Sequence, residues 1–239
     1  MTTGRMEAFS DGVIAILITV MVLELPTPHG TTWAALRPAA PVLLTYLMSF
    51  AYLGIYWNNH HHMLQATARV TGLILWANMH LLFWLSLIPF TTAWLGENHF
   101  AATPAAGYGI VLLAAALAYY GLQTAIIRDQ GSRSVVATAV GRDVKGKLSP
   151  LLYVAGIGLS FVNHWTAVAI YASVALMWLI PDRRLERTIT SKADTSQDQP
   201  TDNRNRTVAA PLTFAMEQAR RAADLCGFIR RSLAARSGA

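Results

Sequence analysis

The chain has 239 residues, of which 54% are hydrophobic and only 13% are charged, and its net charge is +6. Soluble domains carry roughly a quarter of charged residues, so this composition excludes an ordinary soluble protein. Eleven of the nineteen Lys and Arg residues follow Pro181. A single cysteine, Cys226, excludes a disulfide framework and a cysteine-rich metal site. We therefore expect a membrane protein with a basic cytosolic tail.

Apolar segments long enough to cross a membrane recur before Pro181. A crossing helix needs about 20 mostly apolar residues, and we expect such helices at residues 8–25, 41–57, 70–94 and 105–127. Lipid offers no hydrogen-bond partner to the backbone, so each segment is predicted to be an α-helix. The first is not a signal peptide, because it contains Asp11 and lacks both a basic cluster and a cleavage site.

The apolar stretch 151–180 has two interpretations, one long tilted helix or two short helices that turn at Asn163–His164. Two helices place the basic segment before the stretch and the basic tail after it on the same side, as the positive-inside rule requires. Eighteen of the nineteen basic residues are then cytosolic, and only Arg37 lies outside. We therefore predict an all-α polytopic protein of the cell membrane, with six transmembrane helices and both termini cytosolic.

Three regions follow from this pattern. Residues 1–181 form the six-helix transmembrane domain, residues 182–211 a flexible polar linker, and residues 212–239 a basic amphipathic cytosolic tail. The tail is either solvated or a helix that rests on anionic lipid. Membrane surface charge explains its basic residues as well as a nucleic acid would, so we expect no nucleic-acid partner.

The first helix separates its residues by position around the axis. Each residue of an α-helix advances by about 100°, so one stripe contains Ile16, Thr19, Val20 and Leu23, with Asp11 on the far side. If the stripe faces a central axis, Asp11 faces neighbouring helices and has a structural role. The alternative is that the apolar residues of the stripe contact lipid or the protein core.

Three consecutive histidines, His60–His62, follow the apolar part of the second helix. Adjacent helical side chains point about 100° apart, and no HxxxH or HxxE pair lies nearby. We therefore expect no metal site here, and instead a polar network with Arg5 and Asp11 at the membrane edge.

The third helix carries Trp76, His80 and Trp84 on one face, which is typical of an aromatic packing stripe with the histidine hydrogen-bonded to a neighbour. Gly156 and Gly158 lie among small residues and predict close helix packing. The sequence has no GxSxG, no HExxH and no phosphate-binding glycine loop. We therefore expect neither an enzyme nor a cofactor.

Three segments carry a resemblance to a known family. Arg5-Met-Glu-Ala-Phe-Ser-Asp11 resembles the RxxxFSD signature that opens the first helix of transmembrane protein 175 and its prokaryotic relatives, which are potassium-permeable channels. Residues 54–62, GIYWNNHHH, resemble the end of the family's second helix, and residues 87–97, LIPFTTAWLGE, the end of its third. The resemblance extends over residues 4–180.

The resemblance implies a homotetramer in which four copies of the first helix line a central pore. The family's apolar constriction lies seven residues after the signature Phe, here Phe9, and therefore corresponds to Ile16. The family's hydroxyl position, three residues later, corresponds to Thr19, and Leu23 extends the apolar lining. The family's polar network at the cytosolic side is matched by a further set of residues: Arg5, Ser10, Asp11, Trp57, His60 and His61.

The resemblance therefore predicts a potassium-permeable channel whose partners are potassium ions, membrane lipid and other copies of the chain. No TVGYG sequence is present, so a ring of filter carbonyls is not expected. One alternative is a proton or small-solute carrier that uses Asp11, His80 and Glu24 as a relay. Another is a non-transporting scaffold whose basic tail recruits a partner.

Overall fold

A computed structural model of the chain describes residues 2–131, 136–137 and 144–179. These residues form seven α-helices and no β-strand, which confirms the all-α prediction. A 3-10 helix, Trp33–Ala39, leads directly into the second α-helix. The α-helices are α1 (Thr3–Leu23), α2 (Ala40–Gln65), α3 (Gly72–Ser86), α4 (Ile88–Glu97), α5 (Ala102–Gln130), α6 (Val144–Ser160) and α7 (His164–Leu179). The predicted linker and basic tail lie outside the described residues.

Four helical segments are long and apolar enough to cross a membrane: Thr3–Leu23, Trp33–Gln65, Gly72–Glu97 and Ala102–Gln130. A shorter apolar helix follows at His164–Leu179. With α6, and with α3 and α4 counted together as one segment, the described helices make the six that the sequence predicts.

Helices α1 and α2 extend beyond their apolar segments. The first begins at Thr3, and the second continues to Gln65, so that the signature and the histidine run are both helical. The helical hydrogen-bond ladder satisfies the backbone whether the side chains are apolar or polar. The polar residues are therefore held on helical faces and not on loops.

The third segment is interrupted, whereas the sequence predicts one helix over residues 70–94. Helix α3 ends at Ser86 and α4 begins at Ile88, with Leu87 between them. Pro89 is the physical reason, because proline lacks a backbone N–H and its ring clashes with the carbonyl four residues earlier. The chain nevertheless resumes a helix immediately and continues it to Glu97.

Two short helices with a turn before His164 form the last part of the described chain, as predicted. Asn163 caps the second of them, because its Oδ1 accepts a hydrogen bond of 3.0 Å from the backbone N–H of Trp165. A Cβ on Gly156 would lie 2.5 Å from Cε1 of Tyr171, so this glycine permits the close approach of α6 and α7. The prediction is wrong for Gly158, where a Cβ would meet open space.

Contacts among the helix ends and the segments that connect them define the two ends of the bundle. At one end, Thr3 Oγ1 donates a hydrogen bond to the backbone oxygen of Thr67, and Arg69 forms an ion pair with Asp129 at 2.8 Å. We call this the Thr3 end. At the opposite end, which we call the Phe100 end, the ring of Phe100 lies 5.1 Å from that of Trp165.

Buried side chains form two cores. One joins α1, α2, α3, α4 and α5, and includes Leu53, Leu81 and Ile126. The other is rich in tyrosine and joins α2, α4, α5, α6 and α7. Lipid tails are as apolar as these side chains, so the cores stabilise the helix contacts through close packing and not through removal from water.

Candidate pore-facing stripe and polar network

Helix α1 has one face that the rest of the chain covers. Its buried residues recur every three or four positions, as expected of a helix packed on one side. They are Met6, Ser10, Ile14, Leu17 and Met21. The adjacent residues Ile16 and Leu17 differ sharply, with 61% of Ile16 exposed but only 8% of Leu17.

The opposite face of α1 is apolar and exposed. Phe9, Ile16 and Leu23 are 51%, 61% and 82% exposed, and Val20 and Thr19 lie between them on the same side. The structure therefore brings the predicted stripe together on one surface, which no other described part of the chain covers. Such a surface must face lipid or another copy of the chain.

Thr19 presents an oxygen to this surface. Its hydroxyl donates a hydrogen bond of 2.8 Å to the backbone oxygen of Ile16, within the same helix. Because the hydroxyl proton is used in that bond, the lone pairs of Oγ1 remain available. A cation on the stripe side would meet an acceptor and not a donor.

A buried polar chain connects three helices near the Thr3 end. His60 Nε2 lies 2.7 Å from Oδ1 of Asn78, and Nδ2 of Asn78 donates to Ser10 Oγ over 3.0 Å. Ser10 in turn donates to the backbone oxygen of Met6 over 2.9 Å. The amide oxygen of Asn78 can only accept, so His60 donates from Nε2. Ser10 and Asn78 are fully buried and His60 is 1% exposed.

A second polar group lies beside this chain. Glu7 Oε1 is 2.8 Å from Nδ1 of His61, and the His61 ring stacks on Trp57 with 5.8 Å between the ring centres. Asp11 is half-buried, and its Oδ1 accepts no hydrogen bond from any described residue. The side chain of Arg5 is exposed, and no ion pair joins it to Asp11 in the described part of the chain. The structure thus describes two separate polar groups among these residues, and Arg5 belongs to neither.

The three histidines diverge, as their adjacent positions predict. His60 bonds to Asn78, His61 lies beside Glu7, and the His62 ring contacts His61 edge-on. No single ion could bind all three.

The carrier relay is not assembled in the structure. His80 is exposed on α3 and accepts a hydrogen bond from Nε1 of Trp84 in the same helix. Glu24 is exposed at the C-terminal cap of α1, about 20 Å along the helix from Asp11. The stripe of Trp76, His80 and Trp84 also differs from the expected packing face, because 75% of Trp76 is exposed.

Sequence reasoning missed two residues that the structure places at the centre of these groups. Asn78 is the only amide within the apolar run of α3, and a lone amide in such a run was the available signal. Glu7 lies four residues before Asp11, a spacing that places both carboxylates on one side of a helix.

Comparison with known proteins identifies the chain. A family model described as the endosomal/lysosomal potassium channel TMEM175 matches residues 5–89. A protein from Chryseobacterium sp. (strain P1-3), named a potassium channel, is 53% identical over 189 residues, which are 79% of this chain and 98% of that protein. The chain belongs to the TMEM175 family.

Other relatives extend the TMEM175 match along the chain. A potassium channel from Streptomyces collinus is 33% identical over 74% of this chain and 91% of that protein. The crystal structure of a lysosomal potassium-selective channel TMEM175 homologue from Chamaesiphon minutus is 30% identical, covers 74% of this chain and 96% of that one, and superposes with a TM-score of 0.64. Membership of an ion-channel family points to a protein that is not an enzyme.

Human TMEM175 matches a shorter part of this chain. It is named an endosomal/lysosomal proton channel and is 40% identical over 86 residues, which are 29% of this chain and 17% of the human protein. The names of TMEM175 relatives therefore divide between potassium and proton channels.

Proposed function

We propose that the chain forms a potassium-permeable channel of the cell membrane, in which four copies of α1 surround a central pore. The observation that carries this proposal is the exposed stripe of α1, where Ile16 and Leu23 are 61% and 82% exposed although the other face of the helix is buried. The bacterial relatives named potassium channels, which match over most of their length, support potassium as the ion.

Assembly follows from the stripe. One chain supplies one such helix, and a single helix cannot enclose a channel. Identical subunits related by closed cyclic symmetry bring their stripes to a common axis. Four copies are the number that the family resemblance implies, and Ile16 then becomes a ring of four apolar side chains.

The constriction selects by the cost of removing water from the ion. An apolar ring at Ile16 offers no ligand that replaces the hydration shell, and potassium loses its water more cheaply than sodium. The oxygens of Thr19, whose protons bond to the helix backbone, lie one turn further and act as acceptors for the partly dehydrated ion. Moderate selectivity for potassium over sodium is expected from such a pore.

The Thr3 end is assigned to the cytosol. Arg5, Arg69 and Arg128 lie in or next to segments that reach this end, whereas Arg37 lies towards the Phe100 end. Short loops rich in Lys and Arg stay in the cytosol. Both termini are therefore cytosolic.

Proton conduction is the second candidate, because the human relative is named a proton channel. A relay through Asp11, His80 and Glu24 is disfavoured, since His80 bonds within α3 and Glu24 lies at the other end of α1. Any proton current would have to pass through the same pore as potassium.

Ion flux from liposomes tests the proposal. The purified full-length chain is reconstituted, and flux is measured in separate potassium, sodium and proton gradients, with protein-free liposomes as the control. Flux that is faster for potassium than for sodium is expected. Flux in the proton gradient alone would support the second candidate, and silent liposomes would support the scaffold alternative.

A further inference from the structure

We propose that Glu7, Asp11 and His61 form a binding site for a divalent transition-metal ion of the Zn²⁺ type, which joins α1 to α2. This inference goes beyond the proposed channel function and does not depend on it. The site lies near the Thr3 end and uses none of the residues assigned to the pore.

The ligand-capable atoms of these three residues lie close together. One ligand-capable atom from each of the three residues lies within 4.8 Å of the other two. Glu7 and Asp11 are four residues apart on α1 and therefore share a side of that helix, whereas His61 comes from α2. An ion bound at about 2.0–2.2 Å needs its ligand atoms within about 4.4 Å of one another, so small rotations of these three side chains would bring two carboxylate oxygens and one imidazole nitrogen onto one ion.

Two of these atoms are buried without aligned hydrogen bonds. Oδ1 of Asp11 and Nδ1 of His61 are both inaccessible to solvent, and neither has a hydrogen-bond partner among the described residues. The 2.8 Å approach of Nδ1 to Glu7 Oε1 is an ion-pair contact that lacks hydrogen-bond alignment. Buried polar atoms in that condition cost free energy, and an ion between them would supply the missing partner.

Two other residues of α2 hold the imidazole of His61 in place. Its ring stacks on Trp57, and its other nitrogen, Nε2, lies 2.9 Å from Nε2 of Gln65. A ligating histidine usually holds its second nitrogen in a hydrogen bond that fixes the ring. In the metal-bound state His61 carries its proton on Nε2, and the Gln65 amide turns so that Oε1 accepts it. Both the orientation and the tautomer are then set by residues of α2.

The ligand set selects the metal. Two carboxylates carry two negative charges, which a divalent cation neutralises, and imidazole favours Zn²⁺, Fe²⁺ or Ni²⁺ over Mg²⁺ and Ca²⁺. Three protein ligands leave a fourth position to water. The side chains of His61 and Glu7 are 30% and 19% exposed, which leaves a route for the ion from solvent.

Zinc binding to the full-length protein in detergent tests the proposal. The protein is stripped with a chelator, and Zn²⁺ affinity, bound zinc per chain and the thermal unfolding midpoint are measured for wild type, Glu7→Gln and His61→Gln. Loss of a hydrogen-bonded supporting residue typically weakens a metal site by about 10–100-fold, so loss of a direct ligand should weaken zinc binding by at least about tenfold. Both variants should lose one zinc per chain and the zinc-dependent rise in the unfolding midpoint.

Two matched controls each remove one histidine outside the site. His80→Gln changes an exposed histidine of α3, and His62→Gln changes the neighbour of the ligand. Both should retain the zinc of wild type. Co²⁺ should also give visible d–d absorption bands in wild type and in both controls, but not in His61→Gln.

Three results would overturn the proposal. They are unchanged zinc affinity in either ligand variant, loss of the zinc in His62→Gln, which would assign the ion to the histidine run, and displacement of Zn²⁺ by Mg²⁺ at equal concentration. Size-exclusion profiles and helical circular dichroism establish that each variant is folded. A variant that fails this check is replaced by Asp11→Asn, which removes the third ligand.

Discussion

The imidazole of His60 on α2 donates a hydrogen bond of 2.7 Å to the amide oxygen of Asn78 on α3. The amide nitrogen of Asn78 donates a second hydrogen bond to Ser10 of α1, so one amide satisfies groups on both neighbouring helices. All three side chains are buried. The helix predicted to line the pore is thereby fixed against the two helices behind it.

Removing the central amide should loosen this part of the bundle. Asn78→Leu leaves His60 and Ser10 buried without their partner, and hydrogen bonds between membrane helices contribute about 0.6 kcal/mol each, up to about 1.7. We expect a lower thermal unfolding midpoint in detergent. His80→Leu on the exposed face of the same helix is the control and should change the midpoint little. Equal midpoints for both variants would contradict the role of the network.

Assembly into tetramers is the second prediction. Native mass spectrometry in detergent should show a particle of four 26.1 kDa chains. Asp11→Ala should lower the yield of that particle, because Asp11 is half-buried where α1 meets other helices. A stable monomer that conducts ions in bilayers would refute the pore arrangement, and normal tetramers with altered proton coupling would favour the carrier alternative.

The constriction gives the third prediction. Ile16→Asn adds side-chain dipoles that stand in for water, so conductance should rise and the preference for potassium over sodium should fall. Thr19→Ala removes an acceptor oxygen and should lower conductance while the tetramer persists. Reversal potentials under bi-ionic potassium/sodium conditions measure both effects.

Val22→Asn is the matched control for Ile16→Asn. Val22 is 46% exposed but lies on another side of α1, away from the stripe. Its reversal potential should equal that of wild type. If Ile16→Asn is also unchanged, Ile16 faces lipid and the pore assignment is wrong.

The fourth prediction compares two glycines of α6. Gly156→Ala places a methyl group against the ring of Tyr171, whereas Gly158→Ala points into open space. Overpacking of this kind typically costs about 1–3 kcal/mol, so only Gly156→Ala should lower the thermal unfolding midpoint. A larger loss in Gly158→Ala would mean that the α6–α7 contact differs from the one described.

The fifth prediction concerns sidedness and uses the single cysteine. Cys226 should resist a membrane-impermeant maleimide in intact cells and react after permeabilisation, because the tail is expected in the cytosol. A Cys226→Ser variant that also carries Arg37→Cys should react in intact cells. Labelling of Cys226 but not of the cysteine at position 37 in intact cells would mean that the topology is the reverse of the one proposed.

The helices and their number can be predicted from the amino-acid pattern alone. Apolar segments have one stable backbone conformation in lipid, and the basic residues around 151–180 required a turn, which the structure has before His164. The stripe of Ile16, Thr19 and Leu23 followed from the fixed angle per residue of an α-helix. The break at Leu87 was not foreseen, although Pro89 is its cause, because a proline near a helix end can stop the helix or only interrupt it.

The pairing of the polar residues, in contrast, depends on how the helices pack against one another. Asn78 bridges Ser10 and His60 across 68 and 18 positions of sequence, and Glu7 and Asp11 meet His61 from a different helix. Helical periodicity gives the face of a residue on its own helix. It contains no information on the rotation and depth at which two helices pack, and these set every contact between them.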